Sequence, residues 1–361
     1  MQIKALYLKD FRNYKEEIAH FSPEVNIIFG KNGQGKTNLL EAIYFLITGR
    51  SFRTSYIKDL IAFEKKGFYL EAHFEKAKIT QTLKILYSKQ EKKIFLNQTP
   101  IPNFSSLFGI LNGVVLSPLG SGLIDGPPSV RRQFFDISLS QSTPLYLHHL
   151  RRYTRALKQR NALLKIKQLH SIEAFEEQMA YSALYLQQTR QQMIEKLVQL
   201  ARPIQEILSS KEEALQLIYK TSLSKTQTTE AYLTQLEKNR QKELALGYTL
   251  TGPHRDDILI QIQGKEALSF ASEGQKRIGV TSLTLANWER LRQVNHELPL
   301  FCIDDLGIFL DHKREEALYQ FLPTLGQVFV TTPRAFKSTH LLVIENGKIM
   351  SDDHSNGEDD L

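Results

Sequence analysis

Gly30-Lys31-Asn32-Gly33-Gln34-Gly35-Lys36-Thr37 satisfy G-x-x-x-x-G-K-[ST], a spacing suited to holding a polyphosphate. Its glycines let backbone N–H groups turn inward on phosphate oxygens, and the helix expected behind them adds partial positive charge. Lys36 would reach the β- and γ-phosphates, and the Thr37 hydroxyl would bind Mg2+. Such a cradle needs a distant acidic partner for the metal. The best candidate is the apolar run "LFCIDD", which ends in Asp304 and Asp305. One carboxylate can hold the metal's water shell while the other orients or deprotonates an attacking water. Just upstream, "LSFASEGQKR" places Ser272 to cap a helix, with Gly274 and Gln275 in its first turn. A capped helix start with open N–H groups is a second anion site.

These residues need a scaffold. "VNIIF" before the cradle reads as a buried strand, and Leu39, Leu40, Ile43 and Leu46 after it as a helix that Gly49 caps. "IKALYL", "FYLEAHF", "ITQTLKILY" and "KKIFLN" read as antiparallel strands broken by polar turns. From about Arg131 to Lys242 the chain turns Leu-, Gln-, Arg- and Glu-rich, as a helical lobe would. Its apolar stripe is set by Leu147, Leu150, Tyr153, Leu157 and Leu164, and Pro203 is expected to kink or end a later long helix. Strands return with "DDILIQIQG", "LPLFCIDD" and "QVFVTT", and "HLLVIENGKIM" reads as a hairpin turning at Asn346-Gly347. The expected division is therefore 1–125 for the first part of a head, 126–246 for the helical lobe, 247–350 for the second part, and 351–361 for an acidic, disordered tail.

Composition narrows the class. Hydrophobic residues make up 42% and charged residues 24% of 361, ordinary values for a soluble globular chain. No apolar run is long enough to span a bilayer, so no membrane partner is expected, and "MQIKALYLKDFRNYKEE" does not read as a secretory signal. The single cysteine, Cys302, excludes a disulfide framework and suits a reducing cytoplasm. Net charge is +7, and its placement matters more than its size. Arg151 to Lys167 carries seven Lys/Arg and no acid. Arg151, Arg152, Arg155, Lys158 and Arg160 could track the phosphates of DNA, or form a solvated helix face. His148 and His149 are adjacent and make a poor metal pair.

A P-loop, a Ser-x-Gly-Gln helix start and an acidic strand end, in this order, resemble the ABC-type ATPase head. The resemblance implies that the cradle is half a site. The signature residues Ser272, Gly274 and Gln275 would act in trans, so that two chains sandwich two ATP molecules. Within that class the chain resembles the RecF family of recombination mediators. The likeness rests on "LYLKDFRNY", "GRSFRT", "GPPSVRRQFFD", "TGPHRDD", "SEGQKR" and "CIDD", which run in order to about residue 335. It implies an α/β ABC-type P-loop ATPase head with mixed sheets and an inserted helical lobe.

The implied function is ATP-dependent dimerisation on duplex or gapped DNA, with RecO and RecR helping to load RecA, in recombinational repair, replication and the SOS response. Arg12 and Asn13 would touch the adenine. Thr331 or Thr332 would sense the γ-phosphate. Arg131 and Arg132 would be DNA contacts or structural anchors, and His254 and Arg255 an interlobe joint or a nucleotide sensor. The chain departs from the family pattern at Leu119-Gly120-Ser121 and at Ile308-Phe309-Leu310-Asp311, where polar groups near the nucleotide are usual. Slow, weak ATP turnover is the expectation. The alternatives are a degenerate head that binds ATP and DNA with little hydrolysis, or a P-loop ATPase or kinase of another class.

Overall fold

The computed structural model describes residues 1–209, 214–222, 228–305, 321–333 and 340–351. The Ile308–Asp311 departure and residues 352–361 of the acidic tail lie outside them, as do the side chains of Leu119 and Ser121. The chain divides into two compact units, Met1–Gly120 with Asn287–Leu361, and Ser121–Ala286.

The first unit opens with β1 (Gln2–Phe11), β2 (Tyr14–His20), β3 (Val25–Phe29) and helix α1 (Lys36–Thr48). It continues with β4 (Gly67–Lys76), β5 (Ile79–Ser88), β6 (Lys92–Leu96), β7 (Thr99–Ile101) and β8 (Gly113–Leu116). The second unit contributes α2 (Gly122–Asp125), α3 (Pro128–Ser142), α4 (Pro144–Lys165), α5 (Ile172–Leu208), β9 (Leu215–Lys220) and α6 (Thr229–Leu246). It then adds β10 (Asp257–Ile262), β11 (Lys265–Glu266), α7 (Ala267–Phe270) and α8 (Glu273–Asn295), within which the boundary falls. The chain finishes in the first unit with β12 (Leu300–Ile303), β13 (Val328–Thr332), β14 (Leu341–Glu345) and β15 (Lys348–Ser351).

Two six-stranded sheets build the first unit. One is antiparallel, in the order β2-β1-β4-β5-β6-β7, and the other runs β15-β14-β3-β13-β12-β8. In the second sheet every pair is parallel except β14 with β15. β12 and β13 are fully buried apolar runs, as strands covered on both faces must be. One hydrophobic core joins α1 to residues of both sheets, among them Leu8, Phe74, Ile28, Cys302 and Phe329. α1 therefore has no solvent stripe beyond its first turns: every residue from Leu39 to Thr48 is buried. Its end is the expected one, with Gly49 in the left-handed region (φ 65°) donating to Phe45 O at 2.8 Å. The expected hairpin also forms, with Asn346 and Gly347 both at positive φ.

The second unit is larger than the 126–246 lobe expected from composition. The reason is β9, a strand that the helical reading passed over. It pairs with β10 from Ile262↔Leu215 to Asp257↔Lys220, and so keeps "DDILIQI" with the helices rather than with the head. α5 runs through Pro203 to Leu208, so that proline neither ends the helix nor breaks the assignment. The buried stripe of α4 is Tyr146, His149, Tyr153, Ala156, Arg160 and Leu164, with Leu147, Leu150 and Leu157 half-buried beside it.

Candidate functional site

The cradle lies at the carboxyl end of β3. In a parallel sheet all strands end on one edge, so β13 and β12 bring Thr331 and Asp304 to the same side. Thr37 Oγ1 donates to Asp304 Oδ1 at 2.7 Å. Thr331 Oγ1 donates to the same oxygen at 2.9 Å and accepts from the Asp305 N–H at 2.7 Å. Three separate stretches, one of them more than two hundred residues upstream of the others, thus meet on one carboxylate. Of the two threonines that end β13, Thr331 is the one bonded to Asp304 and Asp305.

Electrostatics sharpen the arrangement. Burial pushes the Asp304 carboxyl up, the two threonine hydroxyls pull it back, and neighbouring Asp305 raises it further. Burial also pushes the Lys36 ammonium down, against the attraction of Asp305 and Asp304. Lys36 Nζ meanwhile donates to Gly30 O at 2.6 Å and Lys31 O at 2.9 Å, both within its own loop. Asp305 holds a left-handed backbone (φ 59°). Its Oδ1 is buried with no hydrogen-bond partner among the described residues. By contrast, burial raises the thiol of Cys302, two residues before Asp304, which disfavours the reactive thiolate.

Gly35 shapes the loop. It sits at φ 123° just before α1, and a Cβ there would lie 2.7 Å from Asn13 Nδ2. Gly33 is the open side, where an added Cβ would meet nothing within 4 Å. A cavity of about 340 Å3 is lined by Asn32, Gly33, Gly35, Lys36, Thr37, Asn38, Arg53, Asp305 and Thr331. A second cavity, of about 370 Å3, shares Asn38 and Arg53 with the first and adds Arg12, Asn13, Asp59, Ile61 and Phe63. Arg53 and Asn38 are residues that the sequence reading left out of the site. Arg53 NH1 donates to Asn38 Oδ1 at 2.7 Å, and the signal was "GRSFRT" itself.

Arg12 and Asn13 line the second cavity, but their polar atoms are largely committed elsewhere. Arg12 grips buried Glu41 of α1 with two bonds, at 2.8 and 2.7 Å, and donates to Asp59 O. Asn13 donates to Gln34 O at 2.8 Å and accepts from Asn38. Both therefore hold the P-loop in shape. The Ser51 hydroxyl donates to the same Glu41, tying "GRSFRT" to the helix behind the cradle.

In the second unit, Ser272 caps α8 as expected. The Gln275 N–H donates to Ser272 Oγ at 3.3 Å, and the Ser272 N–H donates to Gln275 Oε1 at 2.9 Å. Ser272 is exposed, and its own O–H remains available to donate. Arg131 forks onto Asp257 at 2.7 and 3.0 Å, and Arg132 donates to Asp256 O at 2.7 Å. Both are anchors within this unit. "TGPHRDD" is a knot of buried bonds: Pro253 O accepts from Arg190, Asp256 from Gln187, Tyr219 and Ser222, and His254 Nδ1 from Tyr153 OH at 2.6 Å. Burial pushes His254 down to about 4. All of these bonds lie within the second unit, where the Arg255 guanidinium also sits 4.9 Å from the Tyr248 ring centroid.

One expectation is overturned. Arg160 is not a DNA contact: it is fully buried, bonded to Glu176 at 2.8 and 3.1 Å and to Thr249 at 2.8 Å, and ion-paired with Glu243 at 2.7 Å. It falls on the α4 face that packs inward, one turn from Ala156 and Leu164. Arg151, Arg152, Arg155 and Lys158 are exposed and form no ion pair among the described residues.

The family described as RecF/RecN/SMC N-terminal domain matches residues 2–342. A protein named DNA replication and repair protein RecF, from Protochlamydia amoebophila, is 47% identical over 337 residues, covering 92% of this chain and 94% of the relative. The chain belongs to the RecF family. The RecF protein of Chlamydia caviae is 41% identical over 358 residues, covering 97% and 96%. A solved structure described as the recombination mediator protein RecF-ATP in the RecFOR pathway matches with TM-score 0.91 at 29% identity, over 97% of each chain. An Smc head bound to a winged-helix domain of ScpA matches at TM-score 0.57 and 17% identity, and shows the fold alone. The fold is that of an ABC-type ATPase head, as expected.

The residues present fit a triphosphate with a divalent ion. Among the described residues no cluster of three or more His, Cys, Asp or Glu could cage a metal. Mg2+ does not require one, since it binds through one or two carboxylates together with substrate phosphates. Thr37, Asp304 and the unpartnered Asp305 oxygen supply such a partial set.

Proposed function

We propose that this chain is an ATP-dependent DNA-binding protein of recombinational repair and replication, two copies of which close on two ATP molecules. The observation that carries this reading is the meeting of Thr37, Asp304 and Thr331 beside an open glycine cradle. The names of its relatives, which are DNA replication and repair proteins, support it.

Lys36 would exchange the Gly30 and Lys31 carbonyls for phosphate oxygens. Thr37 and Asp304 would hold Mg2+, which when bound neutralises phosphate charge. Asp305 would accept the proton of an attacking water, with Thr331 holding its backbone in place. The base would lie in the second cavity against Ile61 and Phe63, which Arg12 and Asn13 shape without needing to touch the base. Ser272, Gly274 and Gln275 of one copy would complete the site of the other through the free Ser272 O–H and the N–H groups of α8.

DNA would run along the α4 face of Arg151, Arg152, Arg155 and Lys158, which gives salt-dependent, sequence-independent contacts. RecR, RecO and RecA are the partners implied, and the cytoplasm the location. No helix among the described residues is long and apolar enough to cross a membrane. The test is anisotropy of labelled duplex and gapped DNA with ATP or ADP. Wild type should bind with ATP and release with ADP, and Lys36→Ala should lose the difference. Equal binding in both nucleotides would defeat the proposal.

A further inference from the structure

The exposed cations of α4 sit beside an aromatic ladder that the nucleotide site does not use. His149 of α4 lies 4.5 Å from the Tyr185 ring at 32° and 5.6 Å from the Tyr181 ring at 46°, both on α5. His148 meets His149 edge-on at 5.4 Å. The ladder ends at the surface. His149 is buried, whereas Tyr181 is 60% exposed, with the Arg152 guanidinium 5.6 Å from its ring centroid. Burial, helped by His148 and Arg152, pushes the His149 imidazole down. Arg152 has no carboxylate partner among the described residues, and Arg151 and Arg155 flank it. Glu177, one turn before Tyr181 on α5, is exposed and forms no ion pair there either.

A duplex offers phosphates to such a surface but keeps its bases stacked on each other. An unpaired base offers a π-face as well. Tyr181 and Arg152 together present what a single strand needs: a flat ring backed by a planar cation, within a row of phosphate-binding charges. A protein partner of acidic character would use the arginines but has no need of the Tyr181 ring face.

We infer that Tyr181 and Arg152 form a stacking site for an unpaired nucleotide, so that α4 and α5 engage single-stranded DNA next to duplex. The inference rests on the DNA-binding reading of α4 and deepens it. The test uses the full chain with ATP, and labelled single-stranded, duplex and gapped oligonucleotides. A 2-aminopurine in the single strand reports stacking by its loss of fluorescence. Tyr181→Ala should weaken single-strand binding about 5- to 150-fold, abolish the fluorescence loss, and leave duplex affinity within about twofold. Tyr181→Phe should behave as wild type, since the ring and not the hydroxyl stacks. Unchanged single-strand affinity in Tyr181→Ala, or equal loss on duplex, would overturn the inference. So would a Tyr181→Phe variant as weak as the alanine. If Arg151→Ala and Arg155→Ala bind duplex as tightly as wild type, the α4 reading itself fails, and the inference fails with it.

Discussion

Replacing Arg160 by alanine should destabilise the second unit rather than release DNA. The side chain is fully buried and serves two carboxylates that are themselves buried, Glu176 and Glu243. Without it, Glu176 keeps Arg240 at 2.7 Å, and among the described residues the Glu243 carboxylate keeps only the Leu250 N–H, also at 2.7 Å. One buried charge is then left without a counter-ion, and the Thr249 hydroxyl loses its donor. Breaking a buried pair from one side costs about 3–5 kcal/mol. In a unit of this size that is a fall in Tm of roughly 6–20 °C. Thermal scans of Arg160→Ala, Arg160→Lys and Arg151→Ala give the comparison, with DNA anisotropy on each well below its Tm. The lysine variant should fall in between, since it keeps the charge but loses the fork. Arg151→Ala should lose DNA affinity and keep its Tm. If Arg160→Ala melts like wild type and loses DNA as Arg151→Ala does, the buried assignment is wrong.

Acidification should weaken the same unit through His254. Its folded-state value, about 4, lies below the usual 6.5, so the unfolded chain takes up a proton that the folded chain refuses between those limits. Stability from this group is full above about pH 6.5 and falls towards pH 4, by roughly 3 kcal/mol at most. Urea melts of wild type and His254→Asn across that range should converge as the pH drops, and parallel curves would exclude the effect. Asp305→Asn should leave ATP affinity within a few-fold and cut single-turnover hydrolysis by about 10²- to 10⁴-fold, the usual span for a proton acceptor; an unchanged rate would remove Asp305 from the chemistry. Gly35→Ala should abolish ATP binding, because a methyl at φ 123° would also press on Asn13. Isothermal titration that finds wild-type affinity would show that the loop re-forms without it.

The cradle was legible because its eight residues are contiguous and framed by a strand and a helix. Asp304 was legible only through its company: an apolar run ending in paired carboxylates can be a mere cap or loop, and the P-loop and Ser-x-Gly-Gln helix start upstream gave it a role. Arg160 was misread because it continues a run of cations with no acid, although Arg151, Arg155 and Lys158 stand at i, i+4 and i+7 while Arg160 shares the spacing of Ala156 and Leu164. Only α5 and α6, which supply Glu176 and Glu243 from far along the chain, decide that it points inward. Arg12 was similar: its partner Glu41 sits mid-helix among Leu39, Leu40 and Ile43, where sequence alone suggests an exposed acid. The strand β9 was missed because "LQLIYK" is a short run in helix-rich surroundings, and its pairing with β10 is a tertiary fact.

The central claim is that each nucleotide site is completed by a second copy. Lys36→Ala breaks the cradle and Ser272→Arg the signature, so either variant alone spoils both sites of a pair. A mixed pair joins the two defects in one site and leaves the other intact. Light scattering with ATP should find wild type doubled in mass, each variant monomeric, and the equimolar mixture partly doubled. Variants that double alone, or a mixture no heavier than its parts, would contradict a shared site.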